Sequence, residues 1–123
     1  MIVGYLNLRA QSGFGSPKQA QVEHFVKLEK FDILHLQEAQ ILKDTFENCN
    51  YITSNYSIIT NNACNPYGTA SLVANSLEPI NIKLDTQGRV IVFDIGGVTF
   101  ANVYLHAESE RRIYLSHYSP AAH

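Results

Sequence analysis

Polar residues follow three apolar stretches of the sequence, at positions where predicted strands end. Asn7 closes the first stretch, Glu38 follows the second, and Asn102-Val103-Tyr104 lies near the end of the last. Ligands of open α/β sheets bind at the carboxyl ends of strands. A carboxylate that ends a buried strand must reach solvent or a cation, because burial without a partner costs several kcal/mol. Glu38 is therefore the first candidate for a functional residue, followed by Asn7 and Tyr104.

Each candidate also has an interpretation that involves no chemistry. Glu38 fits a solvated carboxylate at a strand end, Asn7 a turn former before a Gly- and Ser-rich loop, and Tyr104 an ordinary strand aromatic. The spacing of His35 and Glu38 would suit a metal pair on a helix, but an offset of three on a strand puts the two side chains on opposite faces. The pattern alone leaves both interpretations of the three candidates open.

The elements that position these residues are predicted to begin with a parallel β-α-β unit. Residues 2–8 are rich in apolar and aromatic side chains, which is typical of a strand buried on both faces. Ser16-Pro17 supplies an N-cap and a first-turn proline for a helix with one broad apolar stripe. Residues 31–38 form the second predicted strand. This order predicts a right-handed parallel crossover, with both strand ends at the same edge.

The remainder of the chain is predicted to be mostly β-structure. A short helix is expected from Ala39 to about Glu47, a strand over 51–60 and a turn-rich loop over 61–68. Four further strands, read as an antiparallel meander, are expected over 69–74, 80–84, 89–95 and 98–105. The predicted class is α/β (α+β), with a mixed β-sheet and flanking helices.

Five segments together resemble the endonuclease/exonuclease/phosphatase superfamily and occur in its order. They are Asn7-Leu8-Arg9, Phe31-Asp-Ile-Leu-His-Leu-Gln-Glu-Ala39, Gly68-Thr69-Ala70, Gly88-Arg89-Val90 and Asn102-Val103-Tyr104-Leu105. The superfamily includes abasic-site endonucleases, pancreatic-type deoxyribonucleases and the endonuclease domains of non-LTR retrotransposons, the branch that this sequence resembles most. The resemblance implies the N-terminal half of a four-layered α/β sandwich. It makes residues 1–112 a partial domain and 113–123 a divergent C-terminal tail.

The resemblance implies hydrolysis of a phosphodiester with Mg²⁺ (or Mn²⁺) as cofactor and DNA as substrate and partner. Glu38 would ligate the metal, Asn7 would lie at the metal or the scissile phosphate, and Tyr104 would position the phosphate with its hydroxyl. Arg9 would add positive charge near the phosphate. Nucleic-acid, inositol-phosphate and sphingolipid phosphodiesterases share these residues, so the substrate stays open.

The superfamily also has motifs that this sequence lacks. A Gly-Asp-Phe-Asn type motif is missing, and Leu115-Ser-His-Tyr-Ser-Pro120 resembles the terminal Ser-Asp-His-x-Pro segment without its Asp. In the superfamily, the terminal Asp-His pair supplies the general base. Without this base and with an incomplete set of metal ligands, a truncated domain is expected to have weak activity or none. Unpaired strand edges and exposed apolar surface would favour self-association. The alternative hypothesis is a non-catalytic remnant that serves as a small binding or dimerisation module.

Composition narrows the classes of function. Nine Lys and Arg against eleven Asp and Glu give a formal charge of -2, without the overall basic charge of a self-sufficient nucleic-acid binder. The first residues lack a basic, apolar signal pattern, and Asn, Ser and Thr interrupt the uncharged stretch over 48–77. We therefore expect no signal peptide, no transmembrane segment and no membrane partner, and an intracellular (nuclear or cytoplasmic) protein.

Overall fold

The computed structural model describes residues 1–9, 15–39, 45–62 and 68–105. These residues contain two helices and seven strands. In chain order they are β1 (Val3–Asn7), α1 (Ser16–Glu29), β2 (Ile33–Gln37), α2 (Asn50–Asn55), β3 (Tyr56–Asn61), β4 (Thr69–Ala74), β5 (Ile80–Leu84), β6 (Val90–Ile95) and β7 (Val98–Val103).

The strands form two sheets. Sheet A has the order β1-β2-β4-β3, and sheet B has the order β5-β6-β7. β1 and β2 are parallel, from Val3 opposite Ile33 to Asn7 opposite Gln37, while the other strand pairs are antiparallel. The predicted parallel pairing is confirmed, and it brings the carboxyl ends of β1 and β2 to one edge.

Apolar side chains leave sheet A on both faces, because successive residues of a strand point in opposite directions. Leu34, Leu36 and Leu72 pack in one cluster with residues of α1 and α2. Ile33 and Val73 pack in a second cluster with residues of β6. Three layers result: the helices, sheet A and sheet B. The predicted α/β class, with a mixed sheet and flanking helices, is confirmed. Neither helix in the described part of the chain is long and apolar enough to cross a membrane.

The prediction that the first strand is buried on both faces is wrong. Side chains of β1 alternate between exposed and half-buried, and Tyr5 is 61% exposed. β1 is an edge strand of sheet A, and the main packing of sheet B against sheet A is on β3 and β4. The face of β1 that carries Tyr5 is therefore covered only in part.

The boundary between the second helix and the third strand also differs from the prediction. Of the helix expected over 39–47, residues 40–44 lie outside the described part, and residues 45–48 form a turn. α2 then occupies the first half of the strand expected over 51–60. The carboxylate of Glu23 in α1 accepts a hydrogen bond from the main-chain N–H of Tyr51 at 3.0 Å. This partner for the first turn of α2 comes from a distant part of the chain, so local sequence does not reveal it.

Smaller differences concern caps and strand ends. Gly15, not Ser16, is the N-cap of α1, although the proline lies in the first turn as predicted. β4 belongs to sheet A, so the meander consists only of β5, β6 and β7. β7 ends at Val103, which leaves Tyr104 just beyond it. The predicted boundary between 1–112 and 113–123 lies outside the described residues.

His35 is a fully buried titratable residue between the two sheets. Its Nδ1 lies 2.7 Å from the Ser71 hydroxyl oxygen, and its ring centroid lies 4.7 Å from that of Tyr5 and 6.0 Å from that of Phe93. Nε2 has no hydrogen-bond partner within the described ranges. Burial lowers the pKa of His35 to about 4, so the imidazole is neutral at neutral pH.

We expect the free energy of unfolding to decrease as the pH falls from 6.5 to about 4. Over this range the unfolded chain binds a proton at His35 and the folded chain does not, so the protein loses on the order of 3 kcal/mol. Urea denaturation across this range should show a weaker pH dependence for His35→Leu than for the wild type. His24→Leu, at an exposed position of α1, should behave like the wild type. Equal pH dependence in all three proteins would contradict the assignment.

Candidate active site

Several strand ends meet at one edge of the two sheets. β1 and β2 end there together, with Asn7 opposite Gln37. β4 begins there, because Thr69 pairs with Gln37. β7 ends there at Val103, whose carbonyl oxygen accepts a hydrogen bond from Gln37 Nε2 at 3.1 Å. We call this edge the site edge, and all three candidate residues lie on it or directly after it.

Glu38 leaves β2 through a sharp change of backbone direction. Its φ is +51°, in the left-handed region, and its side chain is only 8% exposed. A non-glycine residue in this region costs on the order of 1 kcal/mol or more, and such residues concentrate at functional sites. The next residue, Ala39, donates its N–H to the Gly68 carbonyl at 3.0 Å, which fixes the chain after the turn. The carboxylate thus lies within the structure and does not project freely into solvent.

Tyr104 brings a hydroxyl to this carboxylate from the other sheet. Its Oη donates to Glu38 Oε1 at 2.7 Å, and the side chain is 6% exposed. Its main-chain N–H donates to the Arg89 carbonyl at 2.8 Å, which continues the β6–β7 pairing past the end of β7. The side chain of Tyr104 is therefore more than an ordinary strand aromatic, because it joins sheet B to the end of β2.

Asn7 lies at the same edge and takes part in a local turn. Its Oδ1 accepts a hydrogen bond from the Arg9 N–H at 2.9 Å, as in an Asx-turn. Lys18 Nζ donates to the carbonyl oxygens of Leu8 and Arg9 at 2.9 and 3.1 Å, so α1 holds this turn. The turn-forming interpretation of Asn7 is thus present in the structure, and the residue is exposed at the site edge.

A cavity of about 350 Å³ opens beside Asn7, between β1 and α1. Its lining is mostly apolar, with polar atoms from three side chains. The lining residues are Leu6, Asn7, Leu8, Lys18, Gln21, Val22 and Phe25.

Asn102 carries a buried side-chain amide below the site edge. The sequence pattern did not identify this residue as a functional candidate. Asn102 is 0% exposed, and its Nδ2 donates to the Ala70 carbonyl at 2.9 Å and to the Leu36 carbonyl at 3.3 Å. Its Oδ1 accepts from Gln37 Nε2 at 3.3 Å. The available signal was the alternation of β7, which places an Asn at an inward position where an apolar residue is the usual choice.

The turn between β5 and β6 borders the same edge. Asp85 Oδ1 accepts hydrogen bonds from the Arg89 N–H at 2.9 Å and from Asn61 Nδ2 at 2.8 Å. Burial raises the pKa of Asp85, but hydrogen bonds from main-chain N–H groups and from Asn61 outweigh this effect and leave the pKa below its ordinary value. Thr69 Oγ1 donates to the Gly88 carbonyl at 3.2 Å. The turn is therefore tied directly to the start of β4.

The side-chain atoms at the site edge suit a hard divalent cation. Mg²⁺ takes carboxylate and amide oxygens as ligands and keeps several waters. Glu38 offers carboxylate oxygens and Asn7 an amide oxygen. Within the described ranges there is no group of three or more His, Cys, Asp or Glu residues that could enclose a metal ion. The carboxylate of Glu38 and the amide of Asn7 thus fit a hard cation.

Comparison with known proteins gives matches at the level of structure. No protein-family model and no curated protein matches the chain. Among solved structures, truncated TDP2 of Caenorhabditis elegans has 24% identity and a TM-score of 0.64, covering 89% of this chain and 47% of its own. An AP endonuclease from Archaeoglobus fulgidus has 19% identity and a TM-score of 0.66, covering 94% and 48%. A 3'-5' exonuclease from Neisseria meningitidis has 20% identity and a TM-score of 0.70, covering 94% and 48%.

These structures share one fold and exceed this chain in length. They are members of the endonuclease/exonuclease/phosphatase superfamily. The chain spans about half of the length of each of them.

We expect Gly88→Ala to lower the free energy of unfolding more than Gly97→Ala. Both glycines have positive φ, +76° and +82°, so alanine costs about 1 kcal/mol of backbone strain at either position. A Cβ on Gly88 would also lie 2.7 Å from the Asn62 carbonyl oxygen, whereas a Cβ on Gly97 has nothing within 4 Å. The clash adds on the order of 1–3 kcal/mol. Equal losses in urea denaturation would contradict the close approach of these two backbone segments.

Proposed function

We propose that this chain, which has the endonuclease/exonuclease/phosphatase fold, binds a divalent cation and a DNA phosphodiester at the site edge as part of a hydrolytic nuclease site. The observation that supports this most is the Glu38 carboxylate, which is buried at the end of β2 and accepts the Tyr104 hydroxyl at 2.7 Å. The strand ends converge on this pair, and strand ends are where open α/β sheets bind ligands.

Electrostatics favours a cation between the Glu38 carboxylate and the phosphodiester. Glu38 and a phosphodiester are both anionic, so they repel each other unless a cation lies between them. The chain has a formal charge of -2, so it supplies no general excess of positive charge to offset this repulsion. Mg²⁺, or Mn²⁺ in its place, is the proposed cation, because the side chains offer only hard oxygen ligands.

Each residue has a distinct proposed role. Glu38 ligates the cation, and the exposed amide of Asn7 binds the hydration shell of the cation or a phosphate oxygen. Tyr104 orients the Glu38 carboxylate and presents its phenolic group to the phosphate. A bound divalent cation would polarise the phosphoryl oxygen and stabilise the leaving alkoxide.

DNA is the proposed substrate class. An AP endonuclease and a 3'-5' exonuclease share the fold, and a 3' phosphatase from Neisseria with this fold was solved with a product DNA hairpin. The finer assignment to the retrotransposon endonucleases rests on sequence resemblance alone, over residues 68–73 and 102–105.

Hydrolysis by these residues alone is proposed to be slow. The described residues contain no group of three His, Cys, Asp or Glu residues around a metal position, and the sequence lacks the superfamily motif that supplies a general base. Binding of the cation and the phosphate would provide part of the rate enhancement. A correctly placed general base typically contributes a further factor of about 10²–10⁴.

A non-catalytic binding or dimerisation module is the second candidate. Six large apolar side chains on or directly after β5 and β7 are between 47% and 55% exposed: Ile80, Ile82, Leu84, Val98, Val103 and Leu105. Exposed apolar surface and the outer edge of β7, which pairs with no further strand within the described ranges, favour association with a second copy of the chain. Such a module would bind without cleaving.

We expect Glu38→Gln to abolish binding of Mn²⁺ in a calorimetric titration, because the substitution removes the negative charge while keeping the size of the side chain. Glu29→Gln is the matched control. Glu29 is exposed at the end of α1, away from the site edge, so its loss should leave the dissociation constant unchanged. Equal affinity of wild type and Glu38→Gln would contradict the metal site.

We expect slow, Mn²⁺-dependent nicking of supercoiled plasmid by the wild type and by Glu29→Gln, and none by Glu38→Gln. Nicking that persists in Glu38→Gln comes from a contaminating nuclease or from another site, and contradicts the proposal. Cation binding without nicking favours the second candidate.

A further inference from the structure

Asn102 places a primary amide in the contact between the two sheets. Nδ2 faces the carbonyl oxygens of Leu36 and Ala70, at 3.3 and 2.9 Å, and the hydroxyl oxygen of Ser71 at 3.3 Å. Oδ1 faces the Nε2 donor of Gln37 at 3.3 Å. Because the nitrogen side meets carbonyl oxygens and the oxygen side meets a donor, the partners define the orientation of the amide.

Cohesion between the sheets does not require a polar group at this position. A leucine of similar size would bury apolar surface there without the desolvation of an amide. A leucine side chain makes no directional hydrogen bonds, however. It would pack nearly as well if one strand were displaced slightly along another. The amide makes hydrogen bonds to both β2 and β4 from a single residue of β7, so its geometry fixes the position of β7 along these strands.

The Asn102 amide lies close in the chain fold to both Glu38 and Tyr104, whose side chains form the hydrogen bond at the site edge. Gln37, which donates to Asn102, also donates to the Val103 carbonyl at 3.1 Å. Gln37 directly precedes Glu38, and Val103 directly precedes Tyr104. A slide of β7 along β2 would therefore separate the Tyr104 hydroxyl from the Glu38 carboxylate.

We propose that Asn102 is a positioning residue of the site. Together with Gln37, its amide places Tyr104 so that the phenolic hydroxyl holds the Glu38 carboxylate in the orientation that a divalent cation binds. The part of this inference that concerns the cation rests on the proposed function. The part that concerns the contact between Tyr104 and Glu38 does not.

The first measurement uses the metal-free protein. Tyrosine labelled with ¹³C at Cζ gives one NMR line for each tyrosine, and Tyr104→Phe assigns the line of Tyr104. Glu38→Gln should shift this line because it changes the hydrogen-bond acceptor, and Asn102→Leu should shift it because it moves the hydroxyl. Ile95→Ala, a core truncation at the opposite end of sheet B, should destabilise the protein and leave the line in place.

The second measurement is the dissociation constant for Mn²⁺. Asn102→Leu should raise this dissociation constant about tenfold, as substitutions of residues that orient metal ligands commonly do. In a Tyr104→Phe background the same substitution should add no further loss, because the amide acts through the Tyr104 hydroxyl. Gln37→Met removes a donor at a half-buried position and should shift the Tyr104 line in the same direction, so the test holds even if Asn102→Leu does not fold.

The results separate the two proposals. An unmoved Tyr104 line in folded Asn102→Leu, or in Gln37→Met where Asn102→Leu does not fold, overturns the positioning role. Additive losses of Mn²⁺ affinity in the double variant overturn it as well. A wild type that binds no Mn²⁺ contradicts the proposed function, and the Tyr104 line alone then decides whether Asn102 positions the hydroxyl.

Discussion

The hydrogen bond from the Tyr104 hydroxyl to the Glu38 carboxylate joins the ends of two strands that belong to different sheets. It forms only if β2 and β7 end at the same edge and at matching positions along the strand direction. The hydrogen bond from Gln37 Nε2 to the Val103 carbonyl joins the ends of β2 and β7, and the amide of Asn102 between the sheets fixes their relative position. The fold therefore brings together two side chains that are 66 positions apart in the sequence.

Burial gives this contact its chemical character. Glu38 is only 8% exposed, so a donor or cation that replaces lost water stabilises its carboxylate. His35, on β2, does not supply that charge, because burial lowers the pKa of His35 to about 4 and keeps its ring neutral. A divalent cation from solution would supply positive charge directly at the carboxylate, which is the physical basis for the proposed metal-dependent function.

Local pattern was sufficient to predict much of the fold. β4 and β5 have the predicted bounds, and the β-α-β order correctly predicts the parallel strands. The prediction fails where partners are distant in sequence. Glu23 supports the first turn of α2 from another helix, and the exposure of Tyr5 depends on how far sheet B extends over β1. For the site, the order of motifs led to Asn7, Glu38 and Tyr104, which the structure places at one edge and whose functional roles stay predictions. The contacts of Asn102 with β2 and β4 become visible only when the two sheets are packed together.

Paramagnetic broadening by Mn²⁺ in a ¹H–¹⁵N correlation spectrum tests the central claim most directly, since it locates a bound cation without requiring catalysis. The account predicts broadening of main-chain N–H signals at the ends of β1, β2 and β7, including those of Leu8, Ala39 and Leu105, while Ile33 and Gly96 at the opposite edge stay sharp. The same titration of Glu38→Gln should leave all of these signals sharp. Broadening centred elsewhere, or unchanged broadening in Glu38→Gln, would contradict a cation site built on the Glu38 carboxylate.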